Sequence, residues 1–568
     1  MKILILTVTI LIAIAHQLWC QTRLNPGDSL NKKIQFKESD VFVVKTNKGE
    51  FIEIIINQKG IDLTITVSSV IGKDEIKFDS PNGLNGPEPV SFESKFSGNY
   101  SIIVKPLSDS INNSKSGNYS VNYLKKVSAI DYQKLLKQRK YEEDEFVSWL
   151  RTNSIKISSV KPGGTFEDLS PLKEILAKKR IVGLGEATHG TREFFQMKHR
   201  MLEFLVKEMG FTVFAIEASY SRCQYINEYV LNGKGSLDTA TVIQGFTTWS
   251  TEEVRDLIKW IKEYNDADPK DKIHFVGYDL QVNDAIAYKI SKFYEKVEIN
   301  KKMQIDSLLR KVIDAEYRGG IFSGDTTIRN LIKPMDALII DFIEKKGQYL
   351  LFTTEAEYEE SLWDHKILHQ YLLSYSYNTW SDEVKHKDRD FYMAQNILSW
   401  LTFFPKGTKM VVWAHNGHIA KVFLNGVSSS MGSYLKELLK DDYYAIGFDF
   451  YKGRFQSNDI DSKYSSGWVE HEVKEAPKGN LSYYFVQAGL KDSFIDFTLT
   501  TQSMTIKKWI NEKKIGMYNI GSQFSKNWSP TNYIVPTKLN KAFDGVFFIK
   551  ESNRAIPVKE IWINKYEF

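Results

Sequence analysis

One stretch, Ile181-Val-Gly-Leu-Gly-Glu-Ala-Thr-His-Gly190, narrows the folds open to this chain. Apolar residues run up to Gly185, and polar residues with chemistry follow at once: Glu186, Thr188 and His189. This pattern predicts a short buried strand that empties into a turn. In an open α/β sheet, ligands bind in the crevice beyond the carboxyl ends of such strands. The design recurs. Phe211-Thr-Val-Phe-Ala-Ile-Glu217 and Ile273-His-Phe-Val-Gly-Tyr-Asp279 each end on a carboxylate. Lys409-Met-Val-Val-Trp-Ala-His415 ends on an imidazole, with Asn416 and His418 just after. One strand with a carboxylate at its end is ordinary. Four strands that also carry three imidazoles predict a shared hollow, provided the sheet sets them side by side.

The intervening segments have helical periodicity. Residues 193–209 form an amphipathic pattern closed by Gly210, and 252–264 another. Beyond His415 the alternation resumes, with a helix at 431–439 and strands at 443–449 and 542–549. The predicted fold is α/β: a mostly parallel central sheet with helices on both faces. Residues 284–403 break the alternation with helical patterns at 285–297, 303–317, 327–346, 355–374 and 388–403. Such a block inserted between strands predicts a helical cap over the crevice; the other reading is a bundle packed on one sheet face.

The N-terminal part reads differently. Asp40-Val-Phe-Val-Val-Lys45, Phe51-Ile-Glu-Ile-Ile-Ile-Asn57 and Leu63-Thr-Ile-Thr-Val67 have period two. Ser97-Gly-Asn-Tyr-Ser-Ile-Ile103 is echoed by Ser116-Gly-Asn-Tyr-Ser-Val-Asn122, each a turn before a strand with an inward Tyr. These patterns predict a small all-β sandwich over 21–125, then a charged bridging helix within 126–165, then the α/β domain over 166–568. Ahead of them, Lys2 and an apolar run from Ile3 to Ala15 fit a secretory signal peptide over 1–20, cleaved near Cys20. That places the protein outside the cytoplasm, periplasmic or secreted, with no membrane span once the leader is gone. Without Cys20, Cys223 stands alone and no internal disulfide forms. A net charge of +5 over 568 residues, without a dense basic stretch, predicts no nucleic-acid partner. Oligomeric state is left open.

Two resemblances follow from these residues. Gly60-Ile-Asp-Leu-Thr-Ile65 and the Gly-Asn-Tyr strands resemble the bacterial pre-peptidase C-terminal domain, an accessory module of secreted enzymes. Gly185-Glu-Ala-Thr-His-Gly-Thr-Arg-Glu-Phe-Phe195, Lys198-His-Arg200, Glu217-Ala218, Gly277-Tyr-Asp279 and Trp413-Ala-His-Asn-Gly-His418 resemble the erythromycin esterase family over about 165–568. This second resemblance implies hydrolysis of a macrolide lactone without a serine nucleophile and without a metal. It implies roles for His189 as the catalytic histidine, for Glu186 and Glu217, for the pair His415 and His418, and for a basic residue that is either Lys198 or Arg200. Some members of the family are assigned to exopolysaccharide biosynthesis instead.

The residues support the same chemistry. Ester hydrolysis needs an activated water and a sink for the developing oxyanion. His189 is the candidate base, with Glu186 or Glu217 fixing its tautomer and His415, His418, Lys198 or Arg200 polarising the carbonyl. Asp279, Trp249 and Asn416 are expected to contact a small-molecule substrate. No Gly-x-Ser-x-Gly elbow, His-Glu-x-x-His or Walker loop occurs. No cofactor is expected; a divalent metal held by the same carboxylates and imidazoles is the second choice. Two further readings stay open, an exported polysaccharide-processing protein and an exported binding protein without catalysis. His365 and His369, four apart on a helix, are expected at the surface or in the cap. His274 is expected in the core, as is Cys223, and His199 is a possible addition to the site.

Overall fold

The chain divides into two units, Met1–Asp144 and Glu145–Phe568. The computed structural model describes residues 22–559 apart from 70, 73, 80–83, 108–115, 320–325, 377–387, 425–428 and 463–466. The leader expected at 1–20, Cys20 included, lies outside the described residues. Among those described, no helix is long and apolar enough to cross a membrane.

The first unit is the sandwich that period-two patterning predicts. One sheet holds Thr22–Arg23, Asp40–Thr46, Gly98–Pro106, Leu63–Ser69 and Glu75–Phe78 in that order; the other holds Ser29–Gln35, Ser116–Val127, Phe51–Lys59 and Asn85–Glu93. In Phe51–Lys59, Ile52, Ile54 and Ile56 are buried and alternate with half-buried neighbours. Tyr100 and Tyr119, from the two Gly-Asn-Tyr echoes, both join this core. The helix that follows, Ala129–Asn153, contains the division between units.

The second unit is built on one large sheet. Its strand order is Ile155–Lys156, Ser493–Asp496, Gly545–Ser552, Tyr443–Asp459, Ile181–Leu184, Met410–Trp413, Val213–Ser219, His274–Asp279. From Gly545–Ser552 onward every neighbouring pair is parallel. Toward the far edge, Ser493–Asp496 runs antiparallel to both of its neighbours. The four strands singled out in the sequence are thus consecutive neighbours. Every residue of Ile181–Leu184, Val213–Ser219 and Met410–Trp413 is buried. A strand buried on alternating sides has both faces covered, which is why these segments read as unbroken apolar runs.

Each crossover is helical. Arg192–Met209 stops at Gly210, whose left-handed φ of 70° lets its N–H reach back to Leu205 and Val206. Glu252–Asp266 starts at Thr251, whose side chain accepts from the Val254 N–H. The long insertion comprises Asp284–Val297, Ile299–Gly319, Thr326–Glu344, Lys346–Tyr349, Glu355–Tyr375 and Arg389–Phe403. The sequence reading missed the extension of Tyr443–Asp459 beyond 449, where it pairs with Trp468–Val473. It also missed the hairpin-like pair Lys514–Tyr518 and Ile534–Lys538. Both are short or half-exposed and carry no long apolar run.

Candidate functional site

The strand Ile181–Leu184 leaves the sheet through Gly185. A Cβ there would lie 2.2 Å from Asn416 Oδ1 and 3.1 Å from the Ile446 carbonyl, so the close approach requires glycine. The tight exit turns Glu186 inward, where it is fully buried. Its Oε1 lies 2.6 Å from His189 Nδ1, and its Oε2 accepts from Lys198 Nζ at 2.7 Å and Trp413 Nε1 at 3.0 Å. A carboxylate only accepts, so His189 carries its proton on Nδ1 and keeps Nε2 basic. The His189 side chain is 13% exposed, with the Trp249 ring edge-on at 5.5 Å and the His415 ring at 5.0 Å. Lys198 is sealed, its Nζ 4.3 Å from the centre of the Trp413 ring. Burial pushes its pKa down to about 8, against the opposing pull of Glu186.

Glu217 sits on an irregularity. The pairing of Val213–Ser219 with its neighbour shifts register between Ile216 and Ser219, which re-aims the side chains between them. Glu217 Oε2 accepts the backbone N–H of His415 at 3.0 Å, and Oε1 accepts Arg389 Nη2 at 2.9 Å and faces His418 Nε2 at 3.2 Å. Burial alone would raise its pKa, but the charges of His418 and Arg389 outweigh that and hold it well below the usual carboxylate range. His415 is the opposite case. Burial, with His189 and His418 nearby, holds its pKa well below the usual histidine range. The Gly417 N–H donates to its Nδ1 at 3.2 Å, so the neutral ring keeps its proton on Nε2, directed at the Ala187 carbonyl at 3.4 Å.

His418 lies between two carboxylates, 2.7 Å from Asp390 and 3.2 Å from Glu217. Burial works against its charge, yet these partners push its pKa up to about 10, so it is an imidazolium at neutral pH. Arg389 completes the cluster. Its Nε and Nη2 form a fork onto Asp279 at 3.0 and 2.6 Å, and Nη1 lies 3.2 Å from His418 Nε2. Four carboxylates, from Glu186, Glu217, Asp279 and Asp390, therefore meet three cations, Lys198, Arg389 and His418.

Glu186, His189, Lys198, Glu217, Asp279, His415 and His418 thus stand together. The other residues singled out in the sequence lie outside this cluster or are committed to partners of their own. Arg200, the alternative to Lys198, points away: its guanidinium binds Asp168 and the carbonyls of Ser159 and Thr165. Two residues apart on a helix means roughly 200° of rotation, so both could not face the sheet. Asn416 is buried, with its amide held by the Phe448 N–H at 3.0 Å and carbonyl at 2.7 Å. Asp279 is likewise committed, to Arg389. Trp249 flanks His189, but it is buried and its Nε1 donates to the Glu217 carbonyl at 3.0 Å. His365 lies in the insertion, on the helix Glu355–Tyr375, fully buried among aromatics. His199 is packed on Trp260 and hydrogen-bonds none of these groups. Cys223 is a buried thiol whose pKa burial pushes up.

Sequence reasoning missed Arg389 and Asp390. Their signal was faint: an arginine in the first turn of a helix, where the macrodipole disfavours a cation. Two hollows of about 760 and 1010 Å³ lie between helices of the insertion, and none of these groups lines them.

The erythromycin esterase family profile matches residues 206–552, more than half of the chain. This chain belongs to the erythromycin esterase family. The matched segment carries Glu217, Asp279, Arg389, His415 and His418, while Glu186, His189 and Lys198 precede it. A curated relative, erythromycin esterase type II of Escherichia coli, is 26% identical over 444 residues, 72% of this chain and 98% of that one. Among solved structures, a Bacillus cereus protein superposes with a TM-score of 0.64 at 24% identity, over 73% of this chain and 99% of its own. A succinoglycan biosynthesis protein superposes with a TM-score of 0.57 at 25% identity, over 73% and 99%.

Proposed function

We propose that this protein is a carboxylic ester hydrolase that opens a bulky lactone of the macrolide type with a water activated by His189. The carrying observation is the Glu186–His189 pair, a sealed carboxylate 2.6 Å from Nδ1 of a ring that remains partly exposed. Such a pair sets the tautomer in advance and stabilises the imidazolium once it forms. The similarity to the E. coli esterase supports the substrate class.

In the proposed cycle, water gives a proton to His189 Nε2 as its oxygen bonds to the carbonyl carbon. The carbonyl π pair moves onto oxygen. When that oxyanion collapses, the bond to the ring alkoxy oxygen breaks and this oxygen takes the proton from His189. The products are an alcohol and a carboxylic acid, which ionises; one water is consumed and His189 is restored. Lys198 holds Glu186 in place by donating to its Oε2.

The donor set does not fit a divalent metal. Each oxygen of Glu186 and of Glu217 already faces an N–H donor, and Lys198, Arg389 and His418 supply the positive charge. Among the described residues, no three His, Cys, Asp or Glu side chains are grouped to hold an ion. Dialysis against EDTA is expected to leave turnover unchanged. Residues 1–20 support placing the reaction outside the cytoplasm.

The test is mass spectrometry of a macrolide incubated with the full chain, where ring opening appears as a product heavier by one water. His189→Ala is expected to lower the rate by about 10²–10⁴-fold with an unchanged melting temperature. Full turnover in that variant overturns the assignment of the base. Cleavage of acylated sugars but of no macrolide would keep the chemistry and replace the substrate.

A further inference from the structure

An ester carbonyl under attack needs a hydrogen-bond donor that nothing else has claimed. On the reading of this centre as an ester hydrolase, its donors can be followed one at a time. Lys198 is spent on Glu186 at 2.7 Å and on the Ala414 carbonyl at 3.5 Å, and it is sealed from solvent. The indole N–H groups of Trp413 and Trp249 go to Glu186 and to the Glu217 carbonyl. The Asn416 amide goes to Phe448. His415 turns its N–H toward Ala187 and is buried. His418 gives one N–H to Asp390 and faces Glu217 with the other.

Arg389 differs. Its Nε and Nη2 are consumed by Asp279 and Glu217, but among the described residues Nη1 meets no acceptor. Among the described residues its one contact within hydrogen-bond distance is His418 Nε2 at 3.2 Å, and a doubly protonated imidazole is itself a donor. The Arg389 side chain is also 22% exposed, against 0% for Asp279 and 7% for Glu217 behind it. Asp279 and Glu217 therefore lie deeper than Arg389, and only Asp390, 16% exposed beside His418, brings an anion to the same edge. A second observation points the same way. Arg389 opens the helix Arg389–Phe403, with Asp388 as its N-cap, and a cation in that turn opposes the helix dipole. Its position serves the fork onto Asp279 rather than the helix. A fork of this kind fixes the plane of a guanidinium before any ligand arrives, which a lysine ammonium cannot do.

We propose that Arg389 Nη1 binds the carbonyl oxygen of the substrate and holds the oxyanion that forms as water attacks. Arg389 is then a catalytic residue that the insertion supplies to a base carried by the sheet. His418 sits beside it as a fixed positive charge, and Asp279 is its positioning residue.

The experiment pairs turnover with anion binding on the full chain. Phenylphosphonate, a stable tetrahedral anion, is titrated by calorimetry into the wild type, His189→Ala, Arg389→Gln and Arg389→Lys. The wild type and His189→Ala are expected to bind it. Arg389→Gln is expected to bind about tenfold or more weakly, as loss of a charge-assisted hydrogen bond requires. Arg389→Lys keeps the charge, and with it the ion pairing, so it stands in if the glutamine variant fails to fold; without the fork it too is expected to bind weakly. Macrolide turnover is expected to fall by about 10²–10³-fold in kcat, with little change in KM. Wild-type affinity in a folded Arg389→Lys, or no phosphonate binding by the wild type, overturns the proposal. Either result leaves the His189 mechanism standing. If instead the wild type binds phosphonate through Arg389 but cleaves no ester, the hydrolase reading fails and the anion site survives.

Discussion

The two halves of the charged centre are built from the same chemical parts and are wired in opposite ways. On the inner half, Glu186 and Lys198 are both sealed, and Trp413 closes over them. On the outer half, Arg389 and His418 are each about a fifth exposed, with Asp279 and Glu217 behind them and Asp390 at the same edge. An ion pair without water is rigid and intolerant, because removal of one partner strands the other in a low dielectric. A pair at the edge of solvent is weaker, and its charge is available to something that arrives. The inner half suits the aiming of a base, the outer half the gripping of an anion.

That contrast is broken first at Glu186. Glu186→Gln leaves Lys198 charged and unpaired, and is expected to cost about 3–5 kcal/mol in denaturant unfolding. A smaller loss would mean that Lys198 is neutral in the folded protein. Arg200→Ala sharpens the point from another site. It strands Asp168 in a similar way and is expected to cost somewhat less, since Asp168 is partly exposed, with turnover per folded molecule unchanged. A fall in kcat there would return Arg200 to the reaction centre. Its ion pair also has a defined pH window. Against burial, Arg200 and Ser158 bring Asp168 down from 3.8 to about 2. The stability it lends is therefore present above pH ~4 and lost as pH falls toward 2.

The outer half responds in charge state more than in stability. Asp390→Asn is expected to cost about 1 kcal/mol or less. It removes one of the two carboxylates that hold the proton on His418, so that proton leaves at lower pH than about 10. A titration of the His418 ring by NMR reads this directly, and an unmoved midpoint would assign the effect to Glu217 alone. The sign is fixed by the raised pKa: the stability due to His418 is full below pH ~6.5 and fades as pH passes about 10. Lys198 is the smallest effect. With a pKa of about 8, it begins to lose its charge first, and kcat/KM is expected to decline above that pH. Lys198→Arg, charged at all accessible pH, is expected to move that limb upward.

Much of this arrangement is legible in the chain, and the exceptions have physical reasons. Parallel strands buried on both sides leave long apolar runs, so the segments that end at Leu184, Glu217, Asp279 and Trp413 announce themselves. Their adjacency does not, because it depends on Met410–Trp413 inserting between two strands formed far earlier in the chain. Lys198 and Arg200 look alike as letters and differ only by their rotation about one helix. Asn416 looked like a ligand contact because polar residues at strand ends usually are, yet its amide imitates a strand partner for Phe448. Arg389 lies 172 residues from Glu217 along the chain, in a stretch where charges are common. Only the folded insertion separates it from the others.

The origin of Arg389 and Asp390 in the last helix of that insertion sets a limit on retuning the protein. A wholesale transplant of 284–403 from a homologue would also exchange the grip on the reacting oxygen, so a graft meant to alter selectivity alone has to stop short of Asp388.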